Sequence, residues 1–152
     1  MKHKLIFCLF LFTFFSQVSK SQVSNQAEIK SVVNTLFDGM RKGDSTIVKS
    51  VFHPSARLQI IYFKNGKSFL EIKSIKDFLN VVGKPHKEIH DEKLLSMEIK
   101  VENNLATIWA PYEFFLGTKF SHKGIDAFQL FKSDEGWKII SISYTKIEND
   151  KK

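Results

Sequence analysis

The stretch W-A-P-Y-E-F-F-L-G-T-K-F-S-H-K-G-I-D, from Trp109 to Asp126, sets a Tyr, a Glu, a His and an Asp among strand-forming apolar residues on either side of a glycine. Its β-branched and aromatic residues around Gly117 read as an antiparallel hairpin. Residues two apart on a strand share a face, and each residue rises about 3.3 Å. His122, Gly124, Asp126, Phe128 and Leu130 therefore lie together, with His122 and Asp126 about 13 Å apart along the strand. The two can line one cavity but cannot bond to each other. A three-residue loop, Gly117 to Lys119, sets Phe114 opposite His122 and Tyr112 opposite Gly124, so that Tyr112, His122 and Asp126 share a wall. A loop of two or four residues puts Trp109 and Glu113 on that wall instead, because a slip of one residue exchanges the faces. Glycine in a loop of three is a common closure, which favours the Tyr112 arrangement. Pro111 has no amide to give a ladder and predicts a kinked, bulged or unpaired point, whether to re-aim side chains or only to bend the sheet.

Upstream of the hairpin the period is helical. Ile29, Val32, Val33, Leu36, Phe37 and Met40 follow at steps of three and four, giving one helix over 24–43 with Asn25 and Glu28 as a capping box and Gly43 as its stop. Asp44 opens a shorter helix that ends at the His53-Pro54 step. Arg57 to Lys64 is a strand, Asn65-Gly66 its hairpin turn, and a first antiparallel pair reaches about Ile72. Ser74 and Asp77 cap a third helix in which Ile75, Phe78, Leu79 and Val82 share a face; Gly83 and Pro85 end it. A polar loop with His86 and His90 follows, then strands over 93–101, 105–116, 121–132 and 137–146. Three early helices and a late run of long strands give an α+β fold, with helices packed on one face of a strongly curved antiparallel sheet. On the last strand, Trp137 and Ile139 fall on one side and Ile140, Ile142 and Tyr144 on the other, which suggests a sheet covered on both faces and a partner subunit on the convex one.

The N-terminus carries Lys2 and Lys4 ahead of a run from Leu5 to Phe15 that is apolar but for Thr13. A run of 11 residues is too short to cross a bilayer, which takes about 20, so the pattern reads as a signal peptide over 1–21, with Ser19 and Ser21 before the cut and Gln22 as the new N-terminus. A single domain then occupies 22–152, with its core at about 25–146, and the expected location is periplasmic or extracellular, with no membrane span in the mature chain. The only cysteine, Cys8, leaves with the signal, so no disulfide framework is expected. Loss of Lys2, Lys4 and Lys20 from 23 basic residues leaves 20 against 16 acidic ones, a net charge of +4. The lysines are scattered singly, and no basic stripe interleaved with aromatics marks a nucleic-acid surface.

In this order and spacing the chain resembles the nuclear transport factor 2-like superfamily, and within it the small exported bacterial proteins grouped as polyketide-cyclase-like or putative lumazine-binding. The carriers are M-R-K-G-D, V-F-H-P-S-A-R, W-A-P-Y-E-F, S-H-K-G-I-D-A-F-Q-L and D-E-G-W-K-I-I-S-I-S-Y-T, covering about Asn25 to Lys146. The resemblance implies a cystatin-like cone, a bent sheet around the long first helix with an apolar cavity at its open end. Members include isomerases, dehydratases and cyclases as well as proteins with no established reaction, so the fold names no activity.

Within that frame the residues support three readings. One is a binding protein for a small apolar or aromatic molecule, with Tyr112, Trp109, Tyr62, Phe114, Phe128 and His53 as ligand contacts. A second is a cofactor-independent isomerase, dehydratase or cyclase in which Asp126 or His122 moves a proton and Tyr112 donates a hydrogen bond; a strand histidine titrates near neutrality, and a buried carboxylate has a raised pKa. The third is a homodimer through the convex sheet face. Each residue also has a structural role open to it: His122 bonded to a neighbour, Asp126 to a backbone amide or to Tyr112, Trp109 and Tyr62 in the core, His53 at a helix end. His86, His90 and Asp91 on a loop make poor metal ligands, and with no Cys pair, H-E-x-x-H, G-x-S-x-G or Gly-rich phosphate loop the reading carries no metal and no cofactor.

Overall fold

Among the described residues seven of the ten elements are strands, and their order is set by where turns and caps fall. The computed structural model describes the backbone of residues 3–148 and the side chains of residues 23–147. α1 spans His3–Lys42 as one helix, so no start appears at Asn25. No proline or glycine between Ser21 and Glu28 interrupts it. Asn25 instead accepts a hydrogen bond from Lys132 Nζ at 2.7 Å, and Glu28 pairs with the same lysine. The expected signal peptide over 1–21 lies outside the residues whose side chains are described. Among the described residues no helix is long and apolar enough to cross a membrane.

Gly43, at φ +64°, ends α1 in the left-handed region that glycine adopts without strain. Asp44 then caps α2 (Ser45–Ser50), its carboxylate accepting from the amides of Thr46 and Ile47. The helix stops at Ser50, short of the His53-Pro54 step. β1 (Phe52–Lys64) starts before that proline, which is tolerated because β1 and β7 skip pairing between Phe52 and Arg57. Asn65 and Gly66, both with positive φ, turn β1 into β2 (Lys67–Ser74). Ser74 and Asp77 form the expected capping box of α3 (Ile75–Val82).

The single strand expected over 93–101 is two short ones, β3 (His90–Leu94) and β4 (Glu98–Glu102), both antiparallel to β5 (Leu105–Leu116). Pro111 explains the break. β3 pairing ends at Tyr112 and β4 pairing begins at Trp109, with Leu95 N donating to Pro111 O at 2.8 Å between them. In an extended strand a residue's amide and carbonyl point the same way, so the amide that proline lacks would have faced this gap. β6 (Lys119–Ser133) and β7 (Gly136–Glu148) complete a sheet in the order β2-β1-β7-β6-β5-β3, with β4 beside β5. The sheet is large, curved and unclosed. All pairs are antiparallel except β1 with β7, which run parallel.

The core lies between α1 and the sheet. Ile29, Val33, Leu36 and Phe37 of α1 are buried with Ile108, Phe128, Leu130 and Ile139, and the Phe37 and Phe128 rings meet edge to face at 6.4 Å. Two one-residue shifts decide which side chains join it. On β7 the register slips between Gln129 and Leu130 of the partner strand, so that Ile139 faces Leu130 while Ile142 faces Phe128. The extra residue, Ile140, brings Trp137, Ile139, Ile142 and Tyr144 to one side, where the sequence places them on two. The apolar pattern of β7 therefore gives no second covered face.

Candidate functional site

Tyr112 sits at the centre of β5 and is 2% exposed. Its cross-strand partner is Gly124, and a Cβ there would lie 1.9 Å from Thr145 O and 2.8 Å from Cε1 of Tyr112. The missing side chain lets the phenol pass over β6 to donate its hydroxyl proton to Thr145 O at 2.9 Å. Ile125 N in turn donates to Thr145 Oγ1 at 2.9 Å, so that a side chain takes an amide the ladder would otherwise use. Burial holds the Tyr112 hydroxyl well above its ordinary pKa, with the negative charges of Glu92 and Asp126 adding to the effect. The hydroxyl is committed to the backbone, and the expected hydrogen-bond donor toward a ligand is not available in this arrangement.

The face of Tyr112 is the one the three-residue loop predicts, yet the loop has two residues. Leu116 pairs with Lys119 and Phe115 with Phe120, and the register then shifts by one so that Phe114 pairs with His122 and Tyr112 with Gly124. A two-residue turn reverses the parity, and the extra residue in β6, Ser121, restores it. His122 stacks on Phe114 with centroids 4.9 Å apart, meets the Tyr112 ring edge-on at 5.8 Å, and has Nδ1 3.0 Å from Ser121 Oγ. His90 adds a further ring beside Phe114 at 5.7 Å and touches His86 at 3.9 Å; burial, then the charge of His86, lowers its pKa from 6.5.

These residues wall a cavity of about 910 Å³ between the sheet and the helices. Tyr112, His122, Asp126, Phe114, Phe128 and Tyr62 all line it, Tyr62 stacked on Phe69 at 5.2 Å. Two expected contacts do not. Trp109 has the opposite parity to Tyr112 on β5, is 55% exposed on the outer face and borders a shallower hollow there. His53 is fixed at the start of β1, with Nδ1 2.7 Å from Ser55 Oγ and its ring edge-on to Phe131, outside the cavity wall. Glu113, the alternative to Tyr112, is likewise absent from that wall.

The residue that sequence reading missed is Glu92. It lies on β3, two strands from Asp126, and the curved sheet brings the two carboxyl groups into hydrogen-bond contact at the cavity wall. Asp126 is 4% exposed. Burial raises both acids, Asp126 from 3.8 to about 6 and Glu92 well above its ordinary value, Glu92 being raised further by the Asp126 charge and by the bond between them. Tyr144, cross-strand partner of Asp126, also lines the cavity, its hydroxyl pushed up to about 12 by burial and then by the same two acids. The signal for Glu92 was the alternation of His90, Glu92 and Leu94, hidden because H-D-E reads as loop. Among the described residues no group of three or more His, Cys, Asp or Glu is placed to hold a metal ion.

The fold is that of several solved structures. A protein of unknown function from Mycobacterium tuberculosis aligns with a TM-score of 0.68 at 12% identity, covering 85% of this chain and 75% of that one. A nuclear transport factor 2-like protein of unknown function from Shewanella baltica aligns at 0.63 and 20% identity, covering 84% and 97%. One with a cystatin-like fold from Novosphingobium aromaticivorans aligns at 0.71 and 8% identity, covering 89% and 90%. At such identities the likeness shows the fold alone. No curated protein matches the chain. Residues 24–145 match the family described as "Putative lumazine-binding". The chain belongs to that family, and its fold is the one shared by nuclear transport factor 2-like and cystatin-like structures.

Proposed function

We propose that this protein binds a small apolar or aromatic molecule in the hollow between its helices and its sheet. The observation that carries the reading is the cavity itself, about 910 Å³, walled by apolar side chains such as Leu58, Ile60, Phe78 and Ile142 together with polar ones that include Glu71, Lys73, Lys146 and the Glu92–Asp126 pair. Ligand pockets commonly span about 300–1,000 Å³ and combine such walls with a few placed polar groups. The family's description points the same way, since a lumazine is a flat bicyclic heteroaromatic.

Native mass spectrometry of the purified protein, followed by a thermal-shift screen of aromatic and heteroaromatic compounds, tests it. A ligand present at 100 times its dissociation constant stabilises by about 2.7 kcal/mol. No co-purifying molecule and no shift across a broad library would sink the reading. Turnover of a hit, abolished in Asp126→Asn with binding kept, would move the assignment to an acid-base enzyme. The binding reading is preferred because Tyr112, the expected donor to a developing enolate, already serves Thr145.

The same proposal places the protein outside the cytoplasm as a homodimer. Export rests on the basic start and apolar run of residues 2–15. Pairing rests on the exposed Trp109, Ile61, Leu70 and Ile72, which lie on strand faces turned away from the cavity. An intact mass starting at Gln22 and a sedimentation mass of two copies are the expected results; an uncut chain or a monomer would remove the respective claim.

A further inference from the structure

We infer that the exposed rim of the cavity docks on an anionic lipid bilayer through the tip of the β1–β2 hairpin. The tip reads F-K-N-G-K-S-F, from Phe63 to Phe69, without an acidic residue. Asn65 and Gly66 make the turn, so Lys64 and Lys67 are cross-strand partners and stand directly opposite each other. Like charges placed in this way repel and weaken a hairpin. Among the described residues no carboxylate pairs with either lysine; the acid further along β2, Glu71, holds Lys73 at 3.2 Å. The pair therefore works against the turn in the isolated chain, and a surface of negative charge that takes both ammonium groups removes the conflict.

Apolar side chains stand beside these charges. Phe63 is 70% exposed and Ile147 54%, and each directly follows one member of the Tyr62–Lys146 cross-strand pair, so the two are neighbours on β1 and β7. Val81 of α3 is exposed as well, and all three border the cavity along with Lys64 and Asn65. Cations next to exposed aromatic and aliphatic side chains suit a bilayer surface, where ammonium groups meet anionic headgroups and apolar side chains enter the boundary with the acyl chains. A nucleic-acid backbone would use the lysines and leave Val81 and Ile147 in water. A second copy would bring the same two lysines to the contact and repeat the repulsion. The inference adds a surface to the binding reading and does not depend on it; where both hold, the mouth of the cavity faces the phase into which an apolar ligand partitions.

Position-specific fluorescence tests the docking. Ser68→Cys in a Cys8→Ser background carries an environment-sensitive fluorophore, and Asp134→Cys, on the turn at the opposite end of β7, carries the same label as a control. Position is the readout because the apolar run of residues 5–15, if retained, binds lipid by itself. Each labelled protein is titrated with vesicles of phosphatidylcholine alone and of phosphatidylcholine with phosphatidylglycerol, about one lipid in three anionic. The expected result is a blue shift at Ser68→Cys with the anionic vesicles only, weakened by added salt, and none at Asp134→Cys. Lys67→Glu, which gives Lys64 a cross-strand partner of opposite charge, is expected to unfold at the parent temperature or above while its vesicle affinity falls about tenfold or more. No shift with either vesicle, an equal shift with both, or a shift confined to Asp134→Cys overturns the inference. So does a shift that grows with protein concentration in the absence of lipid, which assigns the tip to a second copy. In each of these cases the binding reading stands or falls by its own ligand screen. The comparison of the two vesicle compositions decides the matter even if Lys67→Glu does not fold.

Discussion

Glu92 and Asp126 share a hydrogen bond between their carboxyl groups although β5 runs between the strands that carry them. Two buried acids in contact have a consequence for stability. The unfolded chain releases the Asp126 proton near pH 3.8 and the folded chain only near 6. A raised folded-state pKa contributes stability that is full below about pH 3.8 and is lost as pH rises through about 6, with Glu92 carrying the loss further upward.

Asp126→Asn removes the share of that pH-dependent penalty that Asp126 carries, leaving the share that burial imposes on Glu92. Between pH 4 and pH 7 the variant gains on the parent protein by on the order of 1–3 kcal/mol, read from urea midpoints at each pH. A constant difference across that range would show that the carboxylate is not held up by burial.

Tyr112→Phe leaves Thr145 O without its side-chain donor. The expected cost is about 1–2 kcal/mol in denaturant unfolding, with the affinity of a cavity ligand nearly unchanged. Loss of affinity without loss of stability would return the hydroxyl to the ligand.

Gly124→Ala places a methyl group 1.9 Å from Thr145 O and against the Tyr112 ring. Neither a ladder carbonyl nor a buried ring can give way freely, so a destabilisation of about 3 kcal/mol or more is expected. Thermal unfolding of the variant checks this, and a change within about 0.5 kcal/mol would contradict the close packing of β5, β6 and β7.

Ser74→Ala breaks the capping box of α3, in which Ser74 Oγ accepts from Asp77 N at 3.2 Å while Asp77 accepts from Ser74 N at 3.3 Å. A loss of about 1 kcal/mol is expected in chemical denaturation. Ser74→Asp, which keeps an acceptor at the cap, recovers most of it.

Much of this architecture is local and so was legible in the sequence. The three-to-four spacing of Ile29, Val33, Leu36 and Phe37 gives the buried face of α1, Asp44 and Ser74 cap their helices, and Asn65-Gly66 turns β1 into β2, because each depends on residues close in the chain. Pro111 announced an interruption, and the gap between β3 and β4 stands beside it.

Tertiary pairing decided the rest. Tyr112 faces the cavity only because the additional residue at Ser121 offsets a two-residue turn, and the apolar residues of β7 share one side only because of Ile140. A slip of one residue exchanges the faces of a strand, and neither shift leaves a mark in composition or period. The meeting of Glu92 with Asp126 is further still from the sequence, since it depends on the curvature of a sheet in which their strands are not neighbours. The sequence by itself determined most of the elements, the caps of the second and third helices and the family; the faces those elements present, and the acid pair they bring together, were settled by non-local registry that no local pattern encodes.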